Sequence, residues 1–203
     1  MRVKMCGMRT ITAACAAEEA GADYIGFIFA ESSRHYIAPE AARKIARALH
    51  RVRTVGVFVD APMSDVNAIA GLVGLDYVQL HGHETAEMAK ESQYPVIKAY
   101  RYGDDFNADA ANAYPAEMIL VDSYVQGAAG GTGTAFHWQD AAREIARVTK
   151  PVLIAGGITA ENVGAAAAIF QPFGVDVSGG LEKDGGKSEE KIRVFMEVVR
   201  NFH

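Results

Sequence analysis

Short apolar runs and helical stretches alternate along the whole sequence, and this alternation restricts the possible folds more than any other feature. Eight apolar runs are each followed by a stretch of helical character, so that 203 residues give about 25 residues for each unit. Run 24–29 is almost continuously apolar, which is typical of a parallel strand that is buried on both faces. The predicted strands are 3–6, 24–29, 54–59, 77–80, 96–100, 118–121, 152–154 and 175–177, and the predicted helices are 10–20, 39–49, 64–72, 84–91, 106–113, 137–148, 160–170 and 188–201.

This alternation implies parallel strands that are joined by right-handed crossovers. Eight units without a point where the strand order reverses favour a closed (β/α)8 TIM barrel, and an open doubly wound sheet is the alternative. Half of the residues are hydrophobic, which is enough for one buried core, and no linker or low-complexity segment interrupts the chain. We therefore expect residues 1–203 to form a single α/β barrel domain with short loops.

Charge, hydropathy and cysteine content narrow the possible partners and location. The formal net charge is −5 and no basic block is present, which argues against a nucleic-acid partner. No apolar run approaches the length of roughly 18 residues that a membrane-spanning helix needs. The first strand begins without a signal-peptide pattern, and Cys6 and Cys15 are too few for a disulfide framework. We expect a cytoplasmic protein that binds neither nucleic acid nor a membrane.

Candidate functional residues lie where the apolar runs end. Active sites of (β/α)8 barrels are built at the C-terminal ends of the strands and in the loops that follow them. The residues to consider are therefore Cys6, Arg34, Asp60, His81, Arg101, Asp122, Gly156, Gly157, Ser178, Gly179 and Gly180.

Two glycine turns follow the seventh and eighth predicted strands. Gly156 and Gly157 form the first turn, and Ser178, Gly179 and Gly180 form the second. Glycine lets backbone N–H groups approach an anion closely, and the loops after strands seven and eight of such barrels often bind phosphate. Ordinary tight turns are the alternative explanation, but two glycine turns at these two places favour a phosphorylated small-molecule substrate.

Cys6 and Asp122 end the first and sixth predicted strands, so they approach the mouth of a barrel from different sides. A thiol serves as a base only as thiolate, and a free thiol titrates near about 8.5. As a pair, the two groups suit proton transfers between neighbouring atoms of one substrate. By position alone, Cys6 is equally explained as a small buried hydrophobe and Asp122 as a residue that caps the following loop.

Arg34 follows the second predicted strand, and a guanidinium there suits a carboxylate, although a solvated loop arginine is equally consistent with the pattern. His81 and His83 flank Gly82 in an H-x-H pattern. A barrel metal site needs ligands from further strand ends, so we expect no metal. We predict that His81 contacts substrate, and an ordering role in the pocket is the alternative.

Segment 123–136 contains four glycines but does not match the dinucleotide-binding pattern, and it does not open a nucleotide-binding unit. We predict a mobile cover over the pocket beside Asp122 rather than a dinucleotide site. A plain flexible loop is the alternative.

Nine short segments of the chain, each unspecific alone, are together highly specific in their order and spacing. They are K-M-C-G at 4–7, G-A-D-Y-I-G-F-I-F at 21–29, S-S-R-H-Y at 32–36, V-G-V-F-V at 55–59, V-Q-L-H-G at 78–82, L-V-D-S at 120–123, G-G-T-G at 130–133, L-I-A-G-G-I at 153–158 and D-V-S-G-G-L-E at 176–182. In these segments, and over essentially its whole length, the chain resembles the phosphoribosylanthranilate isomerase family of tryptophan biosynthesis.

The resemblance implies an Amadori rearrangement of N-(5-phosphoribosyl)anthranilate without metal or other cofactor. It implies Cys6 as general base, Asp122 as general acid and Arg34 as the residue that binds the anthranilate carboxylate. Family members often have D-V-S-S-G-V-E where this chain has Gly179, which lacks a hydroxyl but keeps the backbone donor. We expect phosphate binding to survive this difference, and we expect a monomer or a homodimer.

Three other functions fit the pattern less well. An epimerase of phosphosugars would use paired carboxylates, and usually a metal with histidines at several strand ends. A bifunctional isomerase that also accepts a substrate with two phosphates would need a second phosphate site, and the first half of the chain repeats the glycine turns only weakly. A barrel without catalytic activity would not need Cys6, Arg34 and Asp122 together.

Overall fold

Eight parallel strands form a closed barrel in the computed structural model, which describes residues 1–103, 106–122 and 141–202. The strands follow one another around the barrel in sequence order. Pairing of the first strand with the eighth closes the sheet, so the predicted TIM barrel is confirmed and the open doubly wound alternative is wrong. The strands are β1 (Arg2–Cys6), β2 (Tyr24–Ile28), β3 (Arg53–Phe58), β4 (Tyr77–Leu80), β5 (Val96–Arg101), β6 (Met118–Asp122), β7 (Val152–Ala155) and β8 (Gly174–Val177).

A helix follows each strand, and local capping explains where several of them begin and end. Thr10 and Ser188 each accept a hydrogen bond from a backbone N–H in the first turn of the first and last helices. Gly21 ends the first helix with φ of 94°, a conformation that suits glycine. The helices are α1 (Ile11–Ala20), α2 (Pro39–Ala46), α3 (Met63–Val73), α4 (Ala86–Lys90), α5 (Ala108–Ala113), α6 (described over 141–145), α7 (Val163–Phe170) and α8 (Glu189–Arg200).

All eight predicted helices are present, and the predictions differ from the structure only in the residues at which some helices begin or end. Helix α4 begins two residues later than predicted because Thr85 caps it, accepting a hydrogen bond from Met88 N. The predicted start of the sixth helix, 137–140, lies outside the described residues.

Two apolar cores stabilise the barrel. The larger core lies between the strands and the surrounding helices. The smaller core fills the barrel interior, where alternate side chains of each strand point inward. Its members are Tyr24, Val55, Tyr77, Ile97, Ala99, Met118, Leu120, Leu153 and Ala155. Toward the C-terminal ends of the strands, polar side chains take the place of these apolar ones and line a cavity.

A short antiparallel hairpin extends the chain after β8. It consists of β9 (Glu182–Lys183) and β10 (Gly186–Lys187), which follow a single 3-10 turn at Gly179–Leu181. The hairpin returns Glu182 and Lys187 toward the C-terminal ends of β1 and β2. No helix among the described residues is both long and apolar enough to cross a membrane.

Candidate active site

A cavity of about 730 Å3 opens at the C-terminal ends of the strands. It is lined by all nine residues that the sequence predicts as catalytic or substrate-binding: Cys6, Arg34, His81, Asp122, Gly156, Gly157, Ser178, Gly179 and Gly180. It is also lined by residues for which we predicted no role, among them Gln79, Thr159, Asp176 and Lys191.

Cys6 ends β1 and is buried at the floor of the cavity. Its neighbour in register on β2 is Gly26, and a Cβ atom at Gly26 would lie 2.8 Å from Cys6 Sγ. The thiol therefore packs directly on the backbone of β2, where only glycine leaves room for it. Burial raises the pKa of the Cys6 thiol, and the positive charge of Lys4 opposes that rise.

Lys4 and Asp176 form an ion pair below the thiol. Lys4 Nζ donates a hydrogen bond of 2.9 Å to Asp176 Oδ1, and the Lys4 side chain is completely buried. The two residues are neighbours in the register of β1 and β8, so the closure of the barrel brings them together. The carboxylate of Asp176 raises the pKa of Lys4, opposing the effect of burial.

Asp122 ends β6 and lines the cavity from another side. His81, at the end of β4, is close enough to feel its charge. Burial lowers the pKa of His81, while the negative charge of Asp122 acts in the opposite direction. Gln79 Nε2 lies 2.7 Å from His81 Nδ1 and fixes the orientation of the imidazole ring. In the described part of the chain, Gln79 Oε1 is a buried acceptor without a hydrogen-bond partner.

Arg34, after β2, is held by a carboxylate from the hairpin. Arg34 Nη2 lies 3.1 Å from Glu182 Oε2, and the Arg34 side chain is 74% exposed. The other oxygen of Glu182 lies 3.2 Å from His35 Nε2 and 3.2 Å from Lys187 Nζ. Lys187 Nζ also donates to the backbone and side-chain oxygens of Ser178, at 3.0 Å each. Through Lys187, the Glu182 carboxylate thus connects the Arg34 side chain to the turn after β8.

The two glycine turns pack against each other after β7 and β8. Gly156 and Gly157 have φ of 93° and 66°, where a side chain would be strained. A Cβ atom on Gly180 would lie 2.3 Å from Ile158 O, so Gly180 also permits a close backbone approach. Within the described chain, no hydrogen bond uses the backbone N–H of Gly157, Gly179 or Gly180. These donors suit an anionic oxygen.

The second histidine of the H-x-H pattern, His83, contacts Asp60. His83 Nδ1 lies 3.1 Å from Asp60 Oδ2, and His83 N donates to Asp60 Oδ1 at 2.5 Å. Among the described residues, no group of three or more His, Cys, Asp or Glu side chains could hold a metal ion. The predicted cover, 123–136, lies outside the described residues.

Comparison with known proteins decides the family. The model of the N-(5'-phosphoribosyl)anthranilate (PRA) isomerase family matches residues 3–198. The chain belongs to the PRA isomerase family. It is therefore an enzyme, an isomerase of tryptophan biosynthesis, as the resemblance implied.

Relatives of known sequence or structure support this assignment over the whole length of the chain. The PRA isomerase of Desulforamulus reducens is 44% identical over 201 residues, which are 98% of this chain and 95% of that protein. The crystal structure of the Thermus thermophilus PRA isomerase has a TM-score of 0.87 at 36% identity and covers 100% of both chains. A PRA isomerase in complex with reduced 1-(o-carboxyphenylamino)-1-deoxyribulose 5-phosphate has a TM-score of 0.86 at 33% identity and covers 99% of both chains.

Several charged residues of this PRA isomerase site were not predicted from the sequence, among them Asp176, Glu182 and Lys187. Asp176 was detectable, because it lies near the C-terminal end of β8, two residues before the turn that begins at Ser178. Glu182 and Lys187 reach the site through the hairpin after β8. They were not predictable from the rule that site residues lie at the C-terminal ends of barrel strands, because the hairpin is not part of the barrel.

Proposed function

We propose that this isomerase acts by general acid–base catalysis, with Cys6 as the base and Asp122 as the acid. The single observation that carries the proposal is that both groups line one cavity, together with the side chain of Arg34 and the two glycine turns. In the order of the barrel, the glycine turns after β7 and β8 lie between the strand that bears the acid and the strand that bears the base. A phosphate bound there would anchor the sugar between the two groups.

The proposed orientation of the substrate follows from the charges of the cavity. The phosphate accepts hydrogen bonds from the N–H groups of Gly157, Gly179 and Gly180. The anthranilate carboxylate pairs with Arg34, whose guanidinium offers parallel donors. The ligand bound to the relative of known structure carries both a carboxyphenyl group and a phosphate, which supports a site with these two anion-binding ends.

The reaction begins with opening of the ribose ring. Asp122 donates a proton to the ring oxygen, the bond from C1 to that oxygen breaks, and the nitrogen lone pair forms the C=N bond of an iminium ion. The thiolate of Cys6 then removes the proton from C2, and the C–H electron pair forms a C1=C2 bond as the nitrogen becomes neutral. The resulting enolamine tautomerises to the ketone, so the overall change is an isomerisation.

We expect this chemistry to need no metal or other cofactor, because the iminium of the substrate itself accepts the electron pair. His81 contributes as a neutral hydrogen-bonding group at the cavity wall, since burial lowers its pKa. The expected cytoplasmic location, and the expected state as monomer or homodimer, stay predictions.

A fluorescence assay tests the proposal. Consumption of N-(5-phosphoribosyl)anthranilate is followed by the loss of anthranilate-type fluorescence, with and without EDTA. We expect turnover that EDTA does not change. Turnover that is lost in EDTA and restored by a divalent metal would contradict the cofactor-free mechanism, and the absence of any turnover would contradict the proposed substrate.

A further inference from the structure

Lys4 lies directly below the candidate base, on the same strand and on the same side of it. Side chains two residues apart on a strand point the same way, so Lys4 and Cys6 both face the barrel interior. We propose that Lys4 is a positioning residue: its buried ammonium, held by Asp176, supplies the positive charge that stabilises the thiolate of Cys6. This inference rests on the proposed role of Cys6 as the base.

The position of the ammonium is fixed by the barrel. Lys4 is 0% exposed and its Nζ atom is 2.9 Å from Asp176 Oδ1. Asp176 lines the cavity together with Cys6, so the ion pair forms part of the floor of the site. The thiol itself packs against the backbone of Gly26 and is confined on that side. The ammonium and the sulfur are therefore held near each other by the pairing of β1 with β2 and β8.

A purely structural role does not explain this pair well. Burying two charges costs several kcal/mol of desolvation, and a buried ion pair is often no more stabilising than well-packed apolar residues of similar volume. Apolar side chains form a cluster in the same barrel interior. A charged pair that lies directly under a thiol in this setting is better explained by the ionisation of that thiol.

Among the described residues, the charged groups with the main effects on Cys6 come from three elements around it. Lys4 on β1 favours the thiolate, Asp176 on β8 opposes it, and Lys187 on β10 favours it more weakly than Lys4 does. Lys187 is shared among three other acceptors, which are Ser178 O, Ser178 Oγ and Glu182 Oε1. Lys4 is therefore the cation with the larger effect on the sulfur. Asp122, His81 and Arg34 face the same cavity from β6, β4 and the loop after β2.

Titration of Cys6 in the absence of substrate tests this role directly. In a Cys15→Ser background Cys6 is the only thiol, so its ionisation can be followed by thiolate absorbance and by the pH dependence of alkylation with iodoacetamide. Lys4→Met is expected to raise the midpoint by about one pH unit or more, which reduces the alkylation rate at neutral pH about tenfold. Asp176→Asn is expected to lower the midpoint and to accelerate alkylation. A general loss of packing would not move the two variants in opposite directions.

Lys98→Met is the matched control, because Lys98 is another buried lysine that pairs with a carboxylate, Glu84, and it is not among the groups with the main effects on the Cys6 thiol. It is expected to leave the midpoint unchanged. If Lys4→Met does not fold, the double variant Lys4→Met/Asp176→Asn removes both charges. Its midpoint should still exceed that of the unmodified protein, because the effect of Lys4 on the thiol is larger than that of Asp176. An unchanged midpoint in the Lys4 variants, or equal shifts in both single variants, would overturn the inference.

The isomerase assay separates this inference from the proposed function. If the protein isomerises its substrate but Lys4→Met titrates like the unmodified protein, the inference fails and the function stands. If the titration shifts as expected but the protein does not consume N-(5-phosphoribosyl)anthranilate, the function fails and the effect of Lys4 on Cys6 stands.

Discussion

Arg34 Nη2 lies 3.1 Å from Glu182 Oε2, and the second oxygen of the same carboxylate holds His35 and Lys187. This arrangement predicts that Glu182 orients the guanidinium that we propose as the binding group for the substrate carboxylate. Because Arg34 is largely exposed, its ion pair with Glu182 contributes no more than about 1 kcal/mol to the free energy that holds the guanidinium in position. Glu182→Gln should therefore raise KM about fivefold, with a smaller effect on kcat, and Arg34→Ala should raise KM further.

Asp23→Asn provides the control for this measurement. Asp23 also pairs with an exposed arginine, Arg2, at the opposite end of the barrel, with 2.5 Å between Arg2 Nη1 and Asp23 Oδ1. Its loss should leave KM unchanged. An unchanged KM in Arg34→Ala would reject the role of Arg34 in carboxylate binding, and an unchanged KM in Glu182→Gln alone would reject the orienting role of Glu182.

The close approach of the two glycine turns predicts different effects of neighbouring substitutions. Gly180→Ala would place a Cβ atom 2.3 Å from Ile158 O and must displace the turn, whereas a Cβ atom at Gly179 would meet nothing within 4 Å. We expect Gly180→Ala to weaken competitive inhibition by inorganic phosphate about tenfold, as expected when charge-assisted hydrogen bonds are lost. Gly179→Ala should have a clearly smaller effect. Equal inhibition constants for both variants would place the phosphate elsewhere.

A buried ion pair outside the catalytic groups fixes the loop after β4. Lys98 Nζ lies 2.8 Å from Glu84 Oε2, and both side chains are almost completely buried. The other oxygen of Glu84 accepts hydrogen bonds from Asp60 N and Gly82 N. Lys98→Met leaves the carboxylate buried without its cation, which should lower the free energy of unfolding in urea by about 3–5 kcal/mol.

Two further variants make the test of this pair specific. Lys98→Met/Glu84→Gln removes both charges but keeps an acceptor, and it should lose less stability than the single variant. Lys90→Met removes an exposed partner of Glu87 and should change stability by less than about 0.5 kcal/mol. If Lys98→Met lowered the free energy of unfolding as little as Lys90→Met does, the buried Glu84 carboxylate would not need the charge of Lys98 for stability.

Burial of His81 predicts that stability depends on pH. The pKa of His81 lies below its ordinary value of 6.5 in the folded protein because burial disfavours the imidazolium. Below about pH 6.5 the unfolded chain therefore binds more protons at this residue than the folded chain does. The contribution of His81 to the free energy of unfolding is fully present above that pH and is lost as pH falls. His35, whose pKa is also lowered mainly by burial, acts in the same direction.

Urea unfolding between about pH 8 and about pH 5 measures this effect, since carboxylates titrate mostly below that range. Replacing His81 with Gln should reduce the loss of stability across the range without abolishing it, because His35 remains. An identical pH dependence in both proteins would mean that His81 is not protonated differently in the folded and unfolded states.

Parts of the fold and site were predictable because they depend on local pattern. The eight strands were recognised from apolar runs, and barrel topology then places strand-end residues such as Cys6 and Asp122 around one cavity. The ion pairs were not predictable in this way. Lys4 and Asp176 are 172 residues apart, and they meet only because β1 pairs with β8 in one particular register. Glu182 reaches Arg34 through a short hairpin whose return no apolar periodicity encodes.

The most direct test of the central claim is the turnover number for N-(5-phosphoribosyl)anthranilate, measured by loss of fluorescence in Cys6→Ser and Asp122→Asn. Cys15→Ser, which changes the thiol outside the cavity, is the matched control and should retain the full rate. General acid–base catalysis is typically worth a factor of about 10²–10⁴, so each of the two site variants should lose at least about 10² in turnover. Near-normal turnover in both variants would contradict the assignment of Cys6 as base and Asp122 as acid.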